Sequence, residues 1–191
     1  MSELDELVQR CQRGELAAFT ELFRRYEARI YRLAVTILRH ERDAEDAVQD
    51  VCLRVFEQIK RYRAESSFDT WLTAVIVNVC RDRLRRQKVR HALPLGWPYG
   101  QASDENVAET VADRLQRQTL WALVDRLEEK YRLPVILHYH EGLSCGEVAQ
   151  VLALRTTTVY SRLNTARVQL RAMLREEPGR GLERSGKEYV D

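Results

Sequence analysis

Glycine and proline are scarce, 8 and 4 in 191 residues. Chains built of many short strands need such residues at every turn, so an all-β fold is disfavoured and long helices are permitted. No apolar run approaches the ~18 residues of a membrane-spanning helix. The start, MSELDELVQR, is acidic and lacks the apolar stretch of a secretory signal, so the chain is expected in the cytoplasm. Charge of either sign is not in excess: 31 Lys and Arg stand against 29 Asp and Glu, for a net charge of +2. That excludes a generally basic nucleic-acid coat protein, and any nucleic-acid surface must come from local clustering. The cysteines, Cys11, Cys52, Cys80 and Cys145, form no C-x-x-C pair. Three of them occupy apolar helical positions and are expected as buried thiols in a reducing compartment. There is no Gly-rich phosphate loop and no nucleophile–base pair. His138 and His140, in LHYHEG, lie two residues apart, which on a helix points them in different directions, with only Cys145 nearby. No catalytic residue, metal, cofactor or small-molecule substrate is therefore expected.

What is present is helical periodicity. Hydrophobic residues make up 45% and charged residues 31%, the balance of a charge-rich folded protein. Leu4, Leu7, Val8 and Cys11 repeat at helical spacing, as do Phe19, Leu22, Phe23, Tyr26, Ile30, Leu33 and Ile37. A third segment starts near Asp43, read as its N-cap. It carries Val48, Val51, Cys52, Val55, Phe56 and Ile59, with the stripe centred on Val48, Val55 and Ile59. A fourth runs through SSFDTWLTAVIVNVCRDRLRR (66–86), where Ser66 and Asp69 resemble a capping box and Leu72, Val75, Ile76 and Val79 form the stripe. No segment alternates with period two.

Residues 92–118, ALPLGWPYGQASDENVAETVADRLQRQ, break the pattern with two prolines and two glycines inside Pro94–Gly100, then Asp104, Glu105, Glu109 and Asp113. They read as an acidic linker. Helical spacing resumes at Leu120, Leu123, Val124 and Leu127. Pro134 suits the first position of a following helix, which Gly142 can end. Ser144 and Glu147 make a capping box for a short helix with Val148, Ala149, Val151 and Leu152. After Ala153–Arg155 a last helix carries Val159, Leu163, Ala166, Leu170 and Met173. Two short helices around a tight turn describe a helix-turn-helix. The expected architecture is all-α: two small helical domains, 1–91 and 119–175, joined by a flexible linker (92–118) and followed by a disordered tail (176–191).

Three surfaces look made for partners. On the third helix Asp46, Asp50, Leu53 and Glu57 lie opposite the apolar stripe, with Gln49 at the margin, and an apolar leucine inside an acidic patch suits a basic protein partner. A plain solvated face with one stray leucine is the alternative. On the fourth helix Trp71, Ala74, Asn78, Arg81 and Arg85 share an arc. An indole can stack on any base, an Asn can bond a base edge, and arginines can hold phosphates. Arg83, Arg86, Lys88 and Arg90 extend the positive end, and the preceding loop adds Arg61, Tyr62 and Arg63. The alternative makes Trp71 a core residue and the arginines partners of the helix C-terminus. On the last helix Thr157, Tyr160, Ser161 and Asn164 point outward with Arg162 and Arg167 at the flanks, the pattern of a major-groove reader.

In this order the segments resemble the bacterial sigma factors of RNA polymerase, specifically the extracytoplasmic-function (ECF) group of the sigma-70 family. The resemblance rests on FTELFRRYEARIYRLAVTILR (19–39), DAEDAVQDVCLRVFEQI (43–59), YRAESSFDTWLTAVIVNVCRDRLRR (62–86) and the stretch from Tyr131 to Leu174. It implies that Asp46, Gln49, Asp50 and Leu53 dock on the β′ clamp of core polymerase, and that the C-terminal domain meets the β flap. It implies that Arg63, Ala64, Glu65, Ser66 and Ser67 hold a base flipped from the −10 promoter element, with Trp71, Asn78, Arg81 and Arg85 on the same DNA. Thr157, Thr158, Tyr160, Ser161, Arg162, Asn164 and Arg167 would read the −35 element. The acidic linker would thread toward the polymerase active site. An anti-sigma factor, often membrane-bound in this family, would hold the protein inactive. The sequence departs from the family pattern at Ala153, usually Gly, and at Thr157, Tyr160 and Thr165, which leaves its −35 preference open. A stand-alone helix-turn-helix regulator is the alternative, but no dimer helix is evident.

Overall fold

The computed structural model describes residues 2–91 and 120–176, with side chains to Arg86 and from Leu120 to Arg175. The expected linker (92–118) lies outside the described residues, as does the expected tail apart from Glu176, which is the last residue of α8. Among the described residues every regular element is a helix. These are α1 (Glu3–Gln12), α2 (Leu16–Leu38), α3 (Glu41–Gln58), α4 (Phe68–His91), a segment α5 (120–124), α6 (Glu129–Val135), α7 (Cys145–Leu152) and α8 (Thr156–Glu176). None is long and apolar enough to cross a membrane.

The first half is a bundle of α1–α4. Leu22, Ile30, Leu33 and Ile37 of α2 are sealed, and α4 contributes Leu72, Val75, Ile76 and Val79, the four stripe residues expected of it. Burying a side chain of this kind stabilises by about 1.5–3 kcal/mol. On α3 the stripe differs from expectation. Ala44, Ala47, Val51 and Val55 are buried, whereas Val48 is half-buried and Phe56 is 52% exposed. Two alanines let α3 approach its neighbours closely, so the seam runs through the small residues and rotates Val48 and Phe56 toward the margin. Phe56 still meets the Phe19 ring edge-on at 5.0 Å.

Three helix starts also need correction. The cap of α3 lies three residues early: the His40 side chain accepts from the Asp43 N–H, making His40 and not Asp43 the cap. α4 is capped by Ser67, whose Oγ accepts from the Thr70 N–H at 3.1 Å, so the Ser66–Asp69 box does not form. Asp69 instead takes the Arg29 guanidinium at 2.9 Å. Pro134 lies inside α6 rather than at a helix start. A proline there lacks the N–H for the regular ladder, and the chain widens into a π-helical turn, Ile136–His140, before Gly142 (φ 71°) ends it. The Ser144–Glu147 capping box of α7 is present as expected.

The second half packs α5–α8 around Leu123, Ile136, Leu137, Val148, Val159 and Leu163. The turn between α7 and α8 is held by Ala153 in the left-handed region, φ 52° and ψ 48°. That conformation costs an L-residue roughly 1–2 kcal/mol and a glycine almost nothing. Ala153 is exposed, so nothing is lost with its methyl group. Ala153→Gly should therefore raise stability by up to about 1 kcal/mol, reduced by the glycine's greater unfolded-state entropy; a thermal melt showing a lower Tm would contradict this.

The halves touch. α7 lies against α4, and Arg29 of α2 reaches across to Glu141, Nη2 to Oε2 at 3.1 Å, while also bonding Asp69 and Thr73. Burial by itself would raise the Glu141 pKa, but hydrogen bonds and charge from His140 and Arg29 outweigh it and hold the carboxyl below its ordinary value. The carboxylate's stabilising contribution is therefore present above the ordinary glutamate pKa and is lost as pH falls through the lowered one.

Candidate polymerase-docking and promoter-binding surfaces

The loop before α4 is built from its rims inward. Gln12 of α1 donates its Nε2 protons to the Ile59 carbonyl at 3.1 Å and the Tyr62 carbonyl at 2.7 Å, tying the 3-10 turn Ile59–Arg61 to α1. The Tyr62 hydroxyl crosses the loop to donate to the Ser66 carbonyl at 2.7 Å. The Trp71 ring sits 5.3 Å from Tyr62 and 5.5 Å from Phe68. Trp71 is thus half-buried and braces the loop from behind, which favours the core alternative over base stacking. With its ends fixed, the loop presents Arg63, Ala64, Glu65 and Ser67 to solvent and keeps Ser66 half-buried. Ala64 takes a left-handed conformation, φ 54°, that turns the chain outward. A prebuilt loop of this kind can receive a base without an ordering cost.

Along α4 at ~100° per residue, three faces separate. Phe68, Leu72, Val75, Ile76 and Val79 face the bundle; Thr70, Thr73 and Val77 form a second buried face; Asn78, Arg81 and Arg85 are exposed between them. Ala74 is half-buried on that third face. Asn78 is therefore placed as expected. The arginines are less free. Arg81 pairs with Glu129 at 3.2 Å, and Arg85 pairs with Asp82 one turn back at 3.1 Å. Both pairs are solvent-exposed and weak enough to exchange for phosphate.

The α3 face holds Asp46 and Gln49 exposed, Asp50 half-buried and Leu53 at 64% exposure. Its carboxylates are not all idle. Arg83 of α4 donates from Nε to Asp50 at 2.9 Å and from Nη2 to both Asp50 and the Asp46 carbonyl, with a longer contact to the Asp46 carboxylate. Arg83 thus belongs to the α3–α4 seam and not, as its place in the arginine run suggested, to the positive end of α4. The apolar centre is larger than the sequence indicated, since Phe56 lies one turn beyond Leu53 and is also half out. The signal was available: an aromatic ring three residues from an outward leucine shares its side of the helix.

On α8, Val159, Leu163 and Ala166 point into the core, and Thr157, Tyr160, Ser161, Asn164 and Arg167 are exposed. Thr158 and Arg162 are half-buried. Arg167 donates from Nε to the Tyr139 hydroxyl at 2.8 Å and lies 5.9 Å from that ring. Tyr139, on the π-helical turn, was not foreseen, because its partner is 28 residues away in sequence. His138 and His140 are accounted for structurally. His138 Nδ1 meets the Leu143 carbonyl at 2.7 Å, and the His140 ring packs edge-on to Trp121 at 5.6 Å. Among the described residues no group of three His, Cys, Asp or Glu could hold a metal. Cys11 and Cys80 are buried as expected, with burial pushing the Cys80 thiol up to about 12, while Cys52 and Cys145 are half-buried.

A bundle with an exposed acidic-apolar face on α3, a braced loop at a helix start and a helix-turn-helix, in that chain order, point to a sigma-70-type protein, and comparison bears out that class. Residues 22–90 match Sigma-70 region 2 and residues 117–170 match Sigma-70 region 4. The chain is 34% identical over 161 residues to the ECF RNA polymerase sigma factor SigM of Mycobacterium tuberculosis, covering 84% of this chain and 79% of that one. It is equally identical to SigE of Mycolicibacterium smegmatis, of which it spans only 62%. In fold it is similar to CnrH, solved with the cytosolic domain of CnrY, at a TM-score of 0.64 and 24% identity over 88% of this chain and 95% of that one. It is also similar to RpoE of Bartonella quintana, solved with the anti-sigma factor NepR, at a TM-score of 0.66 and 17% identity over 83% and 98%. The chain belongs to the ECF RNA polymerase sigma factors. The stand-alone regulator is thereby set aside.

Proposed function

We propose that this chain, as a non-enzymatic cytoplasmic subunit, docks on core RNA polymerase through Asp46, Gln49, Asp50 and Leu53 of α3 and directs it to promoters. Residues 1–91 act as the domain that holds the clamp and opens the −10 element, and 119–175 as the domain that reads the −35 element, with 92–118 as linker and 176–191 as tail. In the first, the loop Arg63, Ala64, Glu65, Ser66 and Ser67 receives a base, Trp71 keeps the loop in shape, and Asn78, Arg81 and Arg85 contact the strand. In the second, Thr157, Thr158, Tyr160, Ser161, Arg162, Asn164 and Arg167 face the −35 groove. Core polymerase (β′ clamp and β flap) and promoter DNA are its partners, and an anti-sigma factor keeps it in check.

The observation that carries this reading is the division of α4 into a sealed apolar stripe and an exposed Asn78 just behind a braced, solvent-facing loop. A helix that served only the core would not need the second surface. The purified chain should enable core polymerase to start transcripts at discrete sites on genomic DNA of its source. Core enzyme plus chain giving no starts beyond those of core alone would refute the reading.

A further inference from the structure

Among the described residues, Arg167 alone of the side chains proposed for the −35 groove hydrogen-bonds to a residue outside α8. Its Nε donates to the Tyr139 hydroxyl at 2.8 Å, and its guanidinium carbon lies 5.9 Å from the centre of that ring. Tyr139 stands on the π-helical turn that follows Pro134, a widened turn of the kind frequent at functional sites. Ile136 and Leu137 of that turn are sealed in the core, while Tyr139 is 53% exposed. The His138 ring backs it edge-on at 4.7 Å, and His138 is itself tied through Nδ1 to the Leu143 carbonyl at 2.7 Å. A tyrosine has only two side-chain torsions, far fewer effective states than an arginine. A stiff, anchored group therefore holds the root of a flexible one.

The chemistry of the partner decides what the bond can do. Arg29, Arg81 and Arg83 each meet a carboxylate, which offsets their charge. Arg167 meets a neutral hydroxyl, and among the described residues no carboxylate pairs with it. A hydroxyl orients the guanidinium and leaves its charge whole. The guanidinium is a planar fork of five N–H donors. With the Nε–H taken by Tyr139, the four Nη protons remain on the outer edge, which can grip a phosphate with two parallel hydrogen bonds. The place along α8 suits that use. Arg167 stands about 15 Å along the axis from Thr157, at 1.5 Å per residue. A recognition helix reads base edges with its N-terminal residues. A side chain almost three turns further on lies beyond the bases, where contacts to the DNA backbone are made.

Resting on the proposed function, we infer that Tyr139 is a positioning residue for promoter binding: its hydroxyl holds Arg167 by Nε and aims the Nη1–Nη2 edge at one backbone phosphate of the −35 duplex. The arginine is then ordered on folding, and the cost of ordering it is not met again on binding. Tyr139 acts only through Arg167, so its hydroxyl matters only while the guanidinium is there. The contact carries no base information and strengthens every −35 element alike. It is independent of which bases Thr157, Tyr160 and Asn164 prefer.

The test is a double-mutant cycle on the full-length chain bound to core polymerase, titrated against a promoter fragment found by mapping the wild-type chain's own starts. Tyr139→Phe keeps the ring and removes the acceptor, and should weaken binding about fivefold, the effect of freeing one long side chain. Arg167→Ala should weaken it about tenfold, the effect of one charge-assisted contact. The double variant should bind no more than about twofold weaker than Arg167→Ala, because the two side chains act as one unit. Losses that multiply in the double variant, or binding by Tyr139→Phe equal to wild type, overturn the assignment. A merely structural role for Tyr139 would weaken both backgrounds alike and so falls among the overturning results. The same fragment made with single neutral methylphosphonate linkages across the −35 element locates the phosphate. One linkage should cost wild-type binding about tenfold and Arg167→Ala binding less than about twofold; no such linkage overturns the assignment as well. If the wild-type chain starts no transcripts with core polymerase, the functional reading falls and takes the assignment with it. If it initiates and the cycle is additive, the assignment falls alone.

Discussion

Leu53→Asp is expected to weaken binding to core polymerase by about 30-fold or more while leaving the melting temperature nearly unchanged. The side chain is 64% exposed, so its removal costs the fold little. In an interface, an apolar residue at the centre of a charged patch is the kind that carries 2 kcal/mol or more. Replacing it with a carboxylate adds a desolvation cost on top of the lost contact. Asp50 is a less clean probe, although it belongs to the same proposed surface. Its carboxylate also holds Arg83, so Asp50→Ala would disturb the α3–α4 seam as well as the docking face. Titration of labelled core polymerase with wild-type and variant chain reads the effect directly. Equal affinities would remove α3 from the docking surface.

The difference between Leu53 and Asp50 shows how far the sequence could be read. Helical period placed both on one face, and both are there. Period says nothing of which neighbouring helix reaches that face, and Arg83 arrives from a residue 33 positions away. The same holds for Arg29, whose partner Glu141 is 112 positions on, and for Tyr139 beneath Arg167. Local rules succeeded where the stabilising groups are local, as at the Ser144–Glu147 box and the stripes of α2, α4 and α8. They failed by one residue at the start of α4, where Ser66 and Ser67 stand side by side, and by three at α3, where the cap is His40 and not Asp43. Asp43 lies instead in the first turn of α3 beside the His40 ring, and Asp69 pairs with Arg29. The α3 stripe was misplaced because bulk was weighted over small size. Ala44 and Ala47 are sealed since the chains approach closely there, and no single-residue hydrophobicity reports that. The loop before α4 was legible as a candidate site from composition and resemblance. Its rigidity was not, because it depends on Gln12, some 50 residues away from Tyr62.

The other large effect lies in α4 itself, where two neighbouring residues should separate fold from function. Ile76→Ala should destabilise the chain by about 2–5 kcal/mol, as the side chain is fully buried and its loss leaves a cavity between helices that can only partly close. Against a total stability of about 5–15 kcal/mol, that is enough to unfold a substantial share of molecules near physiological temperature. Asn78→Ala, two positions on and exposed, should shift stability by less than about 0.5 kcal/mol. If Asn78 contacts the opened −10 strand, its substitution should leave polymerase binding intact and slow open-complex formation by about tenfold, the equivalent of one good base contact. The two outcomes are read on the same pair of proteins, by denaturant melts and by permanganate footprinting of promoter DNA with core polymerase. A melt unchanged by Ile76→Ala would mean that α4 is not packed as described. A footprint unchanged by Asn78→Ala would mean that the exposed face of α4 is solvated surface, and the −10 contact would then have to be sought in the loop between Arg63 and Ser67 alone.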